Sequence, residues 1–402
     1  MSPDPQTSAG NVAAAIETVA SHLHPPRSFA LDDHPVPTGR EEIWRFTPVK
    51  RLAGLFPGAP SPGQLSWKYD PPGGMTVTTV ETEQVRAMGV PAPMDRLAAA
   101  AVTNSESAVL IDIAPEAELT EPVVFRLTGE PPVTDGQVSP EVVWGTIVLR
   151  VGRHARATVV FEHAGTAQYA TSVSVLVADG AQLDLVNIQL WDDDAVHAGQ
   201  ISSRLGRDAR LRSFQASLGG DLVRLSETVE YDGPGGEAEL TGLYFASGGR
   251  DRTRGQHLEH RLFIDHNQPE TRSQVDYRGA LEGEGAHTVW VGDVLIRKQA
   301  EGIDTYESNR NLVLTDGCRA DSVPNLEIET GEILGAGHAS TTGRFDDEQL
   351  FYLRSRGIPY EEARRLVVLG FFDELLQRVP VPGLDERLGE LIEARLAKGG
   401  AF

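Results

Sequence analysis

The side chains best suited to chemistry in this chain are few and widely spaced. Its single cysteine, Cys318, lies in a glycine turn, Asp316-Gly-Cys-Arg319. One cysteine forbids an intrachain disulfide and any all-cysteine zinc or iron–sulfur site built by this chain alone; such a metal would need ligands shared with another chain. Beside Arg319 an exposed thiol would be reactive, whereas a buried one is an inert small hydrophobe, and the inert reading is preferred. Histidines gather in His257-Leu-Glu-His260 and at His266. On a strand, residues 257 and 260 point to opposite faces, so structural or surface roles are expected for all three rather than a metal site. His338 stands apart, and a lone histidine is usually structural. There is no His-Glu-x-x-His spacing, no phosphate-binding Gly-x-x-x-x-Gly-Lys-Ser/Thr loop and no Gly-x-Ser-x-Gly elbow with a matching triad. Turn geometry explains Gly233-Pro-Gly-Gly236 without a dinucleotide.

The elements that must position these residues are bounded by composition. The chain has 402 residues, with 36 Lys and Arg against 58 Asp and Glu and a net charge of -22. That charge repels nucleic acid and anionic lipid, and no apolar run approaches the roughly 20 residues of a membrane span. The N-terminus, with Asp4 and no basic or apolar stretch, does not read as a secretory signal, so a cytoplasmic protein is expected.

Three regions follow from the pattern. Residues 1–95 read as an N-terminal helical or mixed domain, with a short helix from Asn11 to Leu23, a proline-rich connector, and a helix or turn over Gly39 to Pro48. From about Val142 apolar and polar residues alternate, as in Val142 to Val151 and Tyr169 to Val177. Glycine turns at Gly152, Gly180, Gly206 and Gly235 begin successive units 28, 26 and 29 residues apart (180 minus 152, 206 minus 180, 235 minus 206), and Gly317 repeats the form. Stacked units of this length, without long helices or Asn-Gly hairpins between them, favour a parallel β-helix over a sandwich across a core of residues 96–343. After Gly343 the period becomes helical. One helix runs from Asp346 to Arg356 and ends at Gly357, a second follows Pro359, and a third spans Leu384 to Leu396, making residues 344–402 a C-terminal helical domain.

Several segments carry a family resemblance. Glu348-Gln-Leu-Phe-Tyr-Leu-Arg-Ser-Arg-Gly-Ile358 resembles the segment that follows the core of SufB and SufD proteins. Asp265 to Gly279 is similar to the family's strand-and-turn block, Asp321 to Ile328 to its final coil, and Glu41-Glu-Ile-Trp-Arg-Phe-Thr-Pro48 to the N-terminal motif of its SufD branch. The resemblance implies a mainly β fold: a right-handed parallel β-helix between helical ends. It also implies a non-enzymatic scaffold for iron–sulfur cluster assembly. Such a subunit pairs with a SufB-like subunit through the β-helix and with a SufC-like ATPase through the C-terminal helical domain.

The resemblance places the family's sulfur-acceptor cysteine at Asn309, whose amide can hold no persulfide. SufB members flank the last-coil histidine with two glutamates, where this chain has Gly337-His-Ala339, which favours the SufD branch. His338 matches the SufD histidine implicated in cluster formation and is the candidate ligand for a transient iron–sulfur cluster shared with SufB. The cysteine that some SufD proteins carry two residues earlier is Ala336 here. Use of reduced flavin by the complex is left open, as is homodimer formation by the isolated chain. The aromatic and apolar residues Phe351, Tyr352, Leu353, Leu369, Phe371 and Phe372 read as helical-domain core or as a docking patch. Rival readings are a homodimeric SufB-like scaffold and a β-helix carbohydrate-active protein.

Overall fold

A computed structural model describes residues 23–130, 133–134, 137–138, 141–249, 254–345 and 347–398. The helix expected from Asn11 lies outside the described residues except for Leu23, which sits in a turn. The next stretch forms short 3₁₀ turns, including Glu42–Trp44 within the expected turn, then β1 (Leu65–Lys68), β2 (Met75–Val80), α1 (Thr82–Ala87) and α2 (Arg96–Asn104). The strands β3 (Ala108–Ile113) and β4 (Val123–Gly129) and the two-residue pair β5 (Val133–Thr134) and β6 (Gln137–Val138) complete the approach.

The alternating region then forms fourteen long strands. They are β7 (Val142–Val151), β8 (Arg156–Gly165), β9 (Gln168–Val177), β10 (Gln182–Trp191), β11 (Val196–Leu205), β12 (Arg210–Ser217), β13 (Leu222–Tyr231), β14 (Glu237–Ser247), β15 (His257–His266), β16 (Arg272–Glu282), β17 (His287–Ile296), β18 (Ile303–Val313), β19 (Arg319–Ile328) and β20 (Ile333–Arg344). Of these fourteen, the odd strands stack in a first sheet that β3 and β2 extend, ordered β19-β17-β15-β13-β11-β9-β7-β3-β2, and the even strands in a second that β4 and β1 extend, ordered β1-β4-β8-β10-β12-β14-β16-β18-β20. Every pairing between coils is parallel, so the chain is a β-solenoid of about seven turns. At its N-terminal end each sheet terminates in a short antiparallel strand, β1 on β4 and β2 on β3.

The register corrects the repeat frame read from glycines. Arg156, Gln182, Arg210, Glu237, Arg272 and Asp304 occupy one column, so successive coils differ by 26, 28, 27, 35 and 32 residues (182 − 156, 210 − 182, 237 − 210, 272 − 237, 304 − 272). Two residues before the first four of these, a left-handed residue turns the chain: His154 (φ 57°), Gly180 (φ 66°), Asp208 (φ 53°) and Gly235 (φ 76°). Gly152 and Gly206 therefore belong to a different turn position from Gly180 and Gly235. Glycine relieves the Cβ clash of this conformation in some coils, while histidine and aspartate bear it in others.

The inward faces form one continuous apolar core, from Ile111 and Phe125 through Leu149, Leu185, Leu211, Leu240 and Val275 to Ile303. Polar side chains interrupt it: His163, Tyr169, Gln189, Trp191 and His197 pack together, with His197 Nδ1 2.8 Å and Trp191 Nε1 2.6 Å from Gln189 Oε1. Both outward faces are also covered. Trp44, Leu52, Leu55, Phe56, Leu97 and Ala101 lie over Trp144, Ala170, Val196 and Leu222 of the first sheet. The C-terminal helices α3 (Asp347–Ser355), α4 (Tyr360–Leu376) and α5 (Leu384–Lys398) follow. Val368, Phe372, Leu375, Leu388 and Ile392 from the last two lie over Val160, Ile188, Phe214, Phe245 and Ala280 of the second sheet. Strands covered on both sides read as nearly continuous burial, which explains why the sequence alternation fades across β11 to β17.

One buried ion cluster fixes the N-terminal segment to the first sheet. Arg224, with 2% of its side chain exposed, lies 2.7 Å from Asp95 and 3.3 Å from Glu259 on the next rung, and its guanidinium stacks 3.9 Å from the Trp44 ring centroid. Asp95 caps α2 by accepting from Leu97 N and Ala98 N, and Thr47 Oγ1 donates to Glu259 at 2.7 Å. Burial works to raise the Glu259 carboxyl, but His257, Arg224 and Arg261 outweigh it and hold it down at about 2. We expect Arg224→Ala to destabilise the chain by about 3–5 kcal/mol, since it removes the cation that two buried carboxylates share, as a shifted urea midpoint would report. Unchanged stability would mean that the cluster is not holding the segment.

Burial also depresses the pKa of interior histidines: His163 to about 4, His260 and His266 to about 3, and His197 well below its ordinary value. Below about pH 6.5 the unfolded chain takes up protons that the native interior refuses, so their contribution to stability falls as pH drops towards these folded values. We expect the loss in urea midpoint between pH 7.5 and 5.5 to shrink in His266→Gln, which removes one such proton; an unchanged loss would assign the acid sensitivity elsewhere.

Candidate functional site

The C-terminal end of the solenoid differs from the other. β19 ends the first sheet and β20 the second, and no strand among the described residues pairs with their outer edges. Both carry half-buried or exposed residues along most of their length, with Leu334, Ile328 and the neighbouring Tyr306 among the large exposed hydrophobics. An open edge of this kind offers unpaired backbone donors and acceptors to another chain.

His338 lies on β20 opposite Glu307 of β18 in the parallel register. Its side chain is 43% exposed, while that of Glu307 is 2% exposed, and its Nδ1 stands 3.9 Å from Glu307 Oε1. That separation is too long for a hydrogen bond. Neither carboxylate oxygen of Glu307 has a hydrogen-bond partner among the described residues, and neither has Trp290 Nε1. Room for the carboxyl comes from Gly292, where an added Cβ would fall 2.2 Å from Glu307 Oε2. Burial, reinforced by the charge of Asp293, pushes the Glu307 carboxyl up to about 8.

Asn309 points inward two residues along β18, into a closed polar ring. Its Nδ2 donates to the Tyr244 hydroxyl at 2.8 Å, that hydroxyl donates to Asn311 Oδ1 at 2.8 Å, and Asn311 Nδ2 donates to Asn309 Oδ1 at 2.7 Å. Ser322 Oγ donates to the same Oδ1 at 2.8 Å, tying the last coil of the first sheet to the second. The amide is thus a structural tie at this position. Ala336 packs partly against the core and supplies no ligand atom.

The other residues singled out for chemistry lie elsewhere. Cys318 is half-buried; its Sγ is 3.3 Å from Gly283 O and 3.5 Å from Thr315 Oγ1, and burial pushes its thiol up, which keeps it protonated. His257 and His260 do occupy opposite faces of β15. His257 Nε2 is 3.1 Å from Glu259 and its ring meets His287 edge-on, whereas His260 stacks inside the solenoid on Tyr244, with ring centroids 5.2 Å apart. His266, also inside, bonds Thr271 and Ser273 at 2.8 and 2.9 Å. No two of the three share a ligand position. His24, Glu327 and Glu329 bring their ligand atoms within 4.8 Å on the surface, but Arg297 Nη1 already lies 3.0 Å from His24 Nδ1.

Comparison with known proteins gives this geometry its context. Residues 133–371 match the family model described as SUF system FeS cluster assembly, SufBD core domain. The chain belongs to the SufBD family of iron–sulfur cluster assembly proteins. An "iron-sulfur cluster assembly SufBD family protein" of Mycobacterium bovis is 49% identical over 396 residues, covering 96% of each chain. One of Mycobacterium leprae is 48% identical over 376 residues, covering 92% of this chain and 93% of its own. The Escherichia coli "iron-sulfur cluster assembly protein SufD" is 25% identical over 390 residues, covering 90% of each, so the chain is SufD-like at a distance. Membership sets aside the carbohydrate-active reading. SufBD proteins are assembly components, and no helix among the described residues is long and apolar enough to cross a membrane.

Glu307 is the residue that sequence reasoning missed in this SufBD chain. Its signal lay in the alternation Thr305, Glu307, Asn309, Asn311, a polar series at inward positions just before the final coil. For the ring beside it, we expect Tyr244→Phe to cost about 1–3 kcal/mol, because one lost hydroxyl leaves Asn309 and Asn311 each short of a buried partner. A thermal or urea midpoint equal to wild type would show that water or a rearranged amide replaces that hydroxyl.

Proposed function

We propose that this chain is a SufD-type scaffold subunit that builds no cluster alone but presents His338 to a transient iron–sulfur cluster assembled against a SufB-like subunit. The observation that carries the reading is the exposed imidazole of His338 on the last strand of an open solenoid end, beside two unpaired sheet edges. Edge-to-edge pairing of two solenoids would cover Leu334, Ile328 and Tyr306 and bring a partner's ligands to the same rim. The iron–sulfur unit is cargo here, held briefly through a nitrogen ligand. Asn309, with its amide consumed in the polar ring, supports a division of labour in which the partner receives the sulfur. The same unpaired edges favour homodimers when the chain is purified without that partner.

Coupling to a SufC-like ATPase falls to α3. Phe372, expected either as core or as patch, is fully buried against the second sheet, but Phe351 and Tyr352 on α3 are 74% and 56% exposed. Aromatic side chains left bare in this way fit a protein contact, with Arg354 and Arg356 on the same segment. Nucleotide chemistry then belongs to the partner, and a cytoplasmic setting follows from its need for ATP.

The deciding experiment is co-expression with the SufB-like and SufC-like subunits, comparing iron and sulfide content after anaerobic assembly for wild type and His338→Ala. We expect both complexes to form and only the wild type to load. Equal loading would reduce His338 to a structural residue, and absence of any complex would discard the scaffold reading.

A further inference from the structure

Glu307 is unusual among the buried acids of this chain. Glu282 meets Arg364, Glu259 meets His257 and Arg224, and Glu227 accepts from Gln215 Nε2 at 3.0 Å. Glu307 has neither an arginine nor a hydrogen-bond donor on either oxygen among the described residues. A carboxyl left so is costly, and each such group in a native interior calls for a ligand, a water or a functional explanation. Asp293 lies near enough for its charge to act on this carboxyl, and His338, at 3.9 Å, shares its register position on the final two rungs of the second sheet.

We propose that Glu307 and His338 form a two-ligand half-site for a first-row divalent cation, iron(II) in the working complex, to be completed by ligands from the paired subunit. This rests on the reading of His338 as the cargo-facing residue and deepens it by naming the second ligand. Two donors each about 2.1 Å from one ion lie roughly 3.0–3.4 Å apart at octahedral and tetrahedral angles, so closing from 3.9 Å requires a small turn of the exposed imidazole. Mixed imidazole and carboxylate donors suit iron(II), cobalt(II) and zinc(II) rather than the all-oxygen preference of magnesium or calcium. The half-site places the carboxylate on the interior side and leaves the imidazole side open to the rim. An ion bound there keeps positions free for sulfide or for a partner's side chains. No electron transfer or bond cleavage is involved, only displacement of water, and of a proton where the carboxyl carries one, by the ion.

The test uses the full chain, titrated anaerobically with cobalt(II) to millimolar concentration and followed by calorimetry and by the visible absorption of the bound ion. Wild type should bind one equivalent saturably. Glu307→Gln and His338→Gln should each weaken binding at least about tenfold, a loss that even supporting groups of metal sites commonly command. Glu307→Asp, which keeps the carboxylate but withdraws it by one methylene, should fall between, and His24→Ala should bind as wild type. His338 is on the surface, so its variant folds independently of the interior, and thermal melts check the Glu307 variants. No saturable binding by wild type, or affinity unaltered in both Glu307→Gln and Glu307→Asp, overturns the half-site. If cobalt(II) binding ignores Glu307 while the His338→Ala complex still fails to load a cluster, the scaffold reading stands and this inference falls. If binding needs both residues yet that complex loads fully, the half-site stands and the scaffold role of His338 falls.

Discussion

The rest of the molecule depends on one constraint: a parallel rung never satisfies itself. Each strand leaves a row of backbone donors and acceptors along its edge and an apolar inward face, and only another rung in register meets both demands. At its start the chain ends each sheet on a short antiparallel strand, β1 of four residues and β2 of six, so the edge left there is brief. At the other end β19 and β20 are ten and twelve residues long, and no strand among the described residues pairs with their outer edges. The candidate site sits at the place where the repeating rule runs out, with His338 on the last rung of its sheet and Glu307 on the rung before it.

Interior polarity follows a similar logic. A solenoid core is narrow, and side chains from facing strands must interlock across it. Where the filling is polar it is mostly self-consistent, as in the ring through Asn309, Tyr244 and Asn311 or the meeting of Gln189 with His197 and Trp191. Exceptions occur along the stack, from Ser203 on β11 to Glu307 on β18, and Glu307 leaves both carboxylate oxygens without a partner among the described residues. A fully satisfied network specifies a unique packing, and a half-satisfied one marks a place still waiting for something.

Much of the architecture was legible in the sequence because period two and period 3.6 are properties of single elements. The strand at Val142 to Val151, the three C-terminal helices and the opposite faces of His257 and His260 could be read from local pattern alone. The coil register was not, since Gly152 and Gly180 look alike in sequence but fill different turn positions, and His154 can take the left-handed conformation that marks the true column. The site was legible only in part. The motif around His338 named one residue, while Glu307 acquires meaning only from the parallel pairing that sets it beside His338, a relation between residues 31 apart (338 − 307) that no local period encodes.

The C-terminal helices have a mechanical consequence. α4 and α5 lie across β8, β10, β12, β14 and β16, riveted by Phe372, Leu375, Leu388 and Ile392 and tied at the margins by Arg387 to Glu162, Arg378 to Glu239 and Asp276, and Arg364 to Glu282. They act as a splint along the barrel. Five rungs of the second sheet are thereby held by contacts that their own ladder does not supply, so parting any one of them from its neighbour must also break its grip on the helices.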